Sequence, residues 1–69
     1  MGVYIELVDP GINKIQVIEI IRKLTKKSLK EAKDMIDSAP VVVTGCLSLV
    51  EAQDIKKKFE EVGAVINLR

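Results

Sequence analysis

Residues 13–37 read NKIQVIEIIRKLTKKSLKEAKDMID, and this stretch decides the fold: it holds two helix starts, two apolar stripes and most of the positive charge. Asn13 is followed three residues later by Gln16, and Ser28 by Glu31. A short polar side chain that accepts from a first-turn amide, answered three positions on by an acid or amide side chain, is the signature of a capping box. Ser48 and Glu51 repeat the pattern farther along. Each pair opens a segment of helical apolar spacing, which predicts helices near residues 14–24, 29–37 and 49–62. Gly63 closes the last by taking a left-handed conformation.

Strand patterns lie around these helices. Residues 3–8 alternate, with Val3, Ile5 and Leu7 on one face, and Asp9-Pro10-Gly11 stops them with turn chemistry. Residues 41–43 form a β-branched run between Pro40 and Gly45, and residues 64–68 put Ile66 and Leu68 on one side and Val65 and Asn67 on the other. The order β-α-α-β-α-β predicts an α+β two-layer sandwich, a three-stranded antiparallel-type sheet with three helices on one face. With the first strand in the middle, the final β-α-β becomes a split right-handed crossover. Residues 1–69 read as a single domain, without linker, internal repeat or low-complexity tract.

Composition narrows the function. The chain has 69 residues, 48% hydrophobic and only 3% aromatic, so an aliphatic core is required. No apolar run approaches the roughly 20 residues of a membrane span, and no basic-then-apolar secretory leader opens the chain. Met1-Gly2 is followed by Glu6 where a myristoylation signal calls for Ser or Thr. The lone Cys46 forms no internal disulfide, and with no histidine there is no zinc constellation. These features together predict a soluble protein of the cytoplasm, with neither metal nor cofactor. Catalysis is not expected: the acids are scattered over helix faces and no glycine-rich loop is shaped for phosphate. Cys46 is read as a buried or merely tolerated thiol and not as a nucleophile.

Charge marks the working surface. Between Lys14 and Lys33 stand seven bases (Lys14, Arg22, Lys23, Lys26, Lys27, Lys30, Lys33) against Glu19 and Glu31, a net +5, so that with a total of +1 the remainder carries −4. A patch of that kind steers an acidic partner. At about 100° per residue, Val17, Ile20, Ile21 and Leu24 share one stripe, Ile18 sits at its edge and Ile15 points nearly opposite. Ile15 and Ile18 ringed by Lys14, Arg22 and Lys33 have the anatomy of a binding spot, an apolar centre inside a charged rim; the plainer alternative for Ile15 is that it packs under the second helix or is one of the scattered exposed aliphatics every surface carries. On the third helix the stripe is Ala52, Ile55, Phe59 and Val62, with Leu49 and Val50 off it. The Lys56-Lys57-Lys58 run spreads around that helix as a solvated face.

Several runs carry a family resemblance. Gly11-Ile12-Asn13-Lys14-Ile15, Val17-Ile18, Arg22, Thr25, Leu29-Lys30-Glu31-Ala32-Lys33-Asp34, Ser38-Ala39-Pro40 and the tail from Ile55 to Ala64 resemble the C-terminal domain of the bacterial ribosomal stalk protein, the seven/twelve protein of the large subunit. The resemblance covers essentially the whole chain and implies the same β-α-α-β-α-β fold. It also implies a module displayed on the stalk that recruits translational GTPases, the elongation and initiation factors, through the face of its first two helices. The matched contact positions are Lys14, Ile15, Ile18, Arg22 and Lys33, with Lys26, Lys27 and Lys30 as a possible further basic rim.

Departures from the family pattern bear on binding. Glu19 stands where the family usually has a lysine, Lys26-Lys27-Ser28 replaces a glycine-rich turn, and Leu49 and Val50 replace charged residues. A carboxylate inside a basic contact surface repels an acidic partner. The family's N-terminal dimerisation region and hinge are absent from these residues, which fits an excised domain or a free-standing relative, and the oligomeric state is open. Two other functions stay in view: binding of nucleic acid or another acidic partner by the basic helices, with a steep salt dependence, and a module like the Clp-protease adaptor, whose fold is similar. Neither aromatic stacking partners beside the patch nor an adaptor's peptide-binding motif are found.

Overall fold

The computed structural model describes residues 2–69; Met1, part of the lipidation reading, lies outside them. Chain order is β1 (Val3–Asp9), α1 (Lys14–Thr25), α2 (Leu29–Asp37), β2 (Val41–Leu47), α3 (Leu49–Glu61) and β3 (Val65–Leu68). The sheet order is β2-β1-β3, with β1 antiparallel to both neighbours, so the first strand lies in the middle and splits the β2-α3-β3 unit, as the sequence reading expects. This is the α+β arrangement expected from the element order.

The period-two pattern of the strands produces the core. Ile5 pairs with Leu68 and Leu7 with Ile66 across β1 and β3. Ile5, Leu7, Val43 and Ile66 turn inward and meet Val17 and Ile21 of α1, Ala32 and Ile36 of α2, and Ala52 and Phe59 of α3 in one buried cluster. The opposite sheet face carries Tyr4, Val8, Val42 and Val65, all exposed. There Glu6 accepts from Asn67 Nδ2 at 3.2 Å and meets Arg69 at 3.4 Å.

Two of the three capping boxes form. Ser28 Oγ accepts from the Glu31 N–H at 3.2 Å and Glu31 Oε1 accepts from the Ser28 N–H at 3.3 Å; Ser48 and Glu51 do the same at 3.2 and 3.4 Å. Asn13 does not cap α1. Its Nδ2 instead donates to the Val62 carbonyl at 3.2 Å, tying the start of α1 to the end of α3, a tertiary partner that local spacing does not reveal. Gly63 takes the left-handed conformation expected of it, at φ +86°.

β2 runs four residues beyond the β-branched run of the sequence reading, through Thr44, Gly45, Cys46 and Leu47. The extension is irregular: two register shifts against β1 accommodate extra residues on β2, and Cys46 sits at φ +60°. Cys46 is an exposed strand residue, so of the two readings, buried or merely tolerated, the buried one does not hold. The Tyr4 hydroxyl lies 3.9 Å from Cys46 Sγ. That contact holds the Tyr4 pKa above its ordinary value, chiefly through the hydrogen bond.

The Ser28 cap carries two expectations. Ser28→Ala is expected to cost about 0.5–2 kcal/mol in a denaturant melt, since a first-turn amide loses its acceptor. The Ser28 backbone N–H and then its side chain hold the Glu31 pKa below the usual glutamate range, with Lys27 adding a smaller push in the same direction. A depressed folded-state pKa means that the unfolded chain binds more protons in the window between the two values. The stability it contributes is present above the unfolded value of about 4.5 and is lost as pH falls through the lower folded value. Glu31→Gln is therefore expected to flatten this part of the acid limb of a stability-versus-pH curve; an unchanged limb would remove the carboxylate from the account.

Candidate functional site

The candidate surface is built on α1 and α2, which pack against each other as well as on the sheet. α1 is amphipathic because Val17 and Ile21 recur at helical spacing; both are fully buried, and Ile20 and Leu24 beside them are half-buried. Burying that stripe turns the remaining arc of α1 outward. Lys14, Ile15, Glu19, Arg22 and Lys23 all lie on the exposed arc. Ile15 is 75% exposed, so it does not pack under the second helix. Ile18 is half-buried and packs against the core, which leaves only part of it for a partner.

Surface relief groups these side chains. One shallow depression at the start of α1 is lined by Ile12, Asn13, Lys14, Ile15 and Gln16. A second, at its end, gathers Glu19, Arg22, Lys23, Lys26 and Lys27. Lys26 closes α1 in the left-handed region at φ 57°, its N–H donating to the Arg22 carbonyl at 2.8 Å. This places the basic turn directly after Arg22 and Lys23, both favourably sited at the negative end of the helix dipole. Lys30 and Lys33 are exposed on α2 and line neither depression.

The positive charge is not neutralised from within. Among the described residues the ion pair within 4.0 Å is Arg69 with Glu6, on the far side of the sheet, so none of the seven bases between Lys14 and Lys33 has an acidic partner. Glu19 shares a depression with four of those bases and pairs with none of them.

Two apolar residues on this side were not singled out from sequence. Ile12 is 95% exposed and Leu29 55%. A residue at Ile12, just before a helix cap, commonly packs against the fourth helical residue, here Val17. Val17 is wholly committed to the core, which leaves Ile12 in water beside Ile15. Burial of Val17 in the periodic stripe was the signal that could have found it. Leu49 and Val50, at the start of α3, are exposed as expected from their place off the stripe.

Together, fold and surface define a small α+β domain with a split β-α-β and an unneutralised basic helical face. Residues 3–69 match the family model described as the ribosomal protein L7/L12 C-terminal domain, and the chain belongs to that family. It is 49% identical over 65 residues to the large ribosomal subunit protein bL12 of Lachnospira eligens, covering 94% of this chain and 54% of that protein. Against the bL12 of Agrobacterium fabrum the identity is 48% over 63 residues, covering 91% and 50%, and against that of Aquifex aeolicus 48% over 63 residues, covering 91% and 49%. The chain thus spans about half the length of these curated relatives. The family takes its description from a ribosomal protein and not from an enzymatic activity.

Proposed function

We propose that this domain works in the cytoplasm as part of a ribosomal stalk, where the outward face of α1 and α2 docks translational GTPases, the elongation and initiation factors. The observation that carries the reading is Ile15, 75% exposed on a helix whose Lys14 and Arg22 have no acidic partner among the described residues. An apolar anchor in a cationic rim suits an acidic, partly apolar surface: the rim speeds encounter and the anchor slows departure. Lys14, Ile15, the exposed part of Ile18, Arg22 and Lys33 are the contact residues in this proposal, with Lys26, Lys27 and Lys30 extending the rim. Family membership and the names of its bL12 relatives support it.

The nucleic-acid alternative gains nothing from the layout. Phe59 is fully buried and Tyr4 lies on the outer face of the sheet, so neither of the chain's two aromatic residues can stack a base beside the basic helices.

Titration of purified translational GTPases against three variants tests the proposal. Ile15→Ala is expected to speed dissociation and to cost about 1–2 kcal/mol, a factor of roughly 5–30 in affinity. Arg22→Glu is expected to slow association in a salt-dependent manner. Glu19→Lys removes the one carboxylate of the basic depression and is expected to strengthen binding. Weaker binding by Glu19→Lys, with the other two variants like the parent, would sink the proposal.

A further inference from the structure

A second surface lies on the other flank of α1, where it meets α3. A groove of about 540 Å³ has a floor of four half-buried aliphatic side chains, Ile20 and Leu24 from α1 and Ile55 and Val62 from α3. That volume falls in the range of clefts that hold small ligands or a few side chains of a partner, about 300–1,000 Å³. Lys23 and Lys58 stand at its rim with Glu61, the last residue of α3, all three exposed. None of them forms an ion pair among the described residues. Lys23 also lines the neighbouring depression of Glu19, Arg22, Lys26 and Lys27, so the apolar floor continues into a surface of net positive charge.

We infer that this groove receives an acidic amphipathic helix of a partner protein, its aliphatic face on Ile20, Leu24, Ile55 and Val62 and its carboxylates on Lys23 and Lys58. The shape fits the helix-in-groove mode, in which leucine-like anchors at positions i, i+3, i+4 and i+7 fill an apolar trough between two helices. The charge selects the occupant. Two rim lysines against one glutamate, and three further bases against Glu19 beyond Lys23, leave a net positive surface that favours carboxylates and repels a basic helix. The floor of this site does not overlap the contact residues on the α1–α2 face, and Lys23 and Lys58 are not among them.

The probe is a synthetic helical peptide of glutamate and leucine, about 15 residues long so that it is marginally helical in water, with leucines at the stated spacing; a lysine-for-glutamate copy is the control. Amide NMR spectra of the protein are followed during each titration. The acidic peptide is expected to give saturable shifts centred on Ile20, Leu24, Ile55 and Val62, with one peptide per protein. Lys23→Glu/Lys58→Glu changes only exposed side chains and is expected to weaken binding about tenfold, while the lysine peptide is not expected to bind. Ile55→Ser, with its fold checked by the same spectra, is expected to weaken it too. Shifts centred on Ile12, Ile15 and Leu29, equal binding of the lysine peptide, self-association of the protein in place of peptide binding, or insensitivity to the double substitution would each overturn the inference. Since GTPase binding is read through Ile15→Ala and this groove through Lys23→Glu/Lys58→Glu, failure of one reading leaves the other visible.

Discussion

Phe59→Ala is expected to remove about 3–5 kcal/mol of stability. Phe59 is among the largest side chains of the core and is fully buried, on α3 amid the inward residues of the sheet. Truncating it loses the transfer free energy of the ring and leaves a cavity whose walls, held by strands on one side and helices on the other, close only in part. At about 0.05–0.15 kcal/mol per residue, a chain of 69 residues has only about 3–10 kcal/mol to lose. The variant is therefore expected to be largely unfolded at mild denaturant concentrations where the parent is intact. Val50→Ala, at a position 69% exposed, is the matched control and should change stability by less than about 0.5 kcal/mol. A Phe59→Ala loss below about 1 kcal/mol would mean that the ring does not occupy the core.

Gly11→Ala is the second change expected to be severe. Gly11 sits at φ +72°, where its N–H donates to Asp9 Oδ1 at 2.8 Å and turns the chain from β1 toward α1. A Cβ there would stand 2.5 Å from the Gly63 carbonyl oxygen and 3.1 Å from its carbon. Both are backbone atoms at the end of α3, so no side chain can swing aside. The left-handed conformation costs an alanine about 1–2 kcal/mol and the forced shift a further 1–3, giving about 2–5 kcal/mol. Gly63 is the control: it has φ +86° but nothing within 4 Å of its would-be Cβ. Gly63→Ala should then carry only the conformational cost of about 1–2 kcal/mol. Equal losses in the two variants would show that the close approach of Gly11 to Gly63 contributes nothing.

The sequence makes the architecture readable wherever a local rule acts alone. Ser28-Glu31 and Ser48-Glu51 announce α2 and α3, and the alternation of Ile5 and Leu7 announces the inward face of β1. Reading fails where distant residues decide. Asn13 has the right spacing to Gln16 for a cap, but the carbonyl of Val62, brought near by folding, takes its side chain. β2 continues through Gly45 and Cys46 because β1 offers it a partner, although glycine is disfavoured in strands and Cys46 sits at φ +60°. On the candidate face, charge counting finds the bases and helical geometry finds Ile15. Ile12 escapes both, since it precedes the helix and its exposure follows from where Val17 is spent.

β1 is made before the other two strands of its sheet and is the central strand of the finished sheet. Glu6 and Asn67 lie side by side, 61 residues apart in sequence, and Tyr4 and Arg69 exchange backbone hydrogen bonds at 2.8 and 2.9 Å. A ribosome adding about 5–20 residues per second takes roughly 3–12 s to cross that span. The helical hairpin of α1 and α2 can form early from local contacts, but through this interval β1 has an open edge waiting for β3. An open edge is a template for the wrong neighbour, and a charge in its middle is a common safeguard. Glu6 occupies that place, and when Asn67 and Arg69 arrive the same carboxylate becomes the acceptor that joins β1 to β3 and the residue after it.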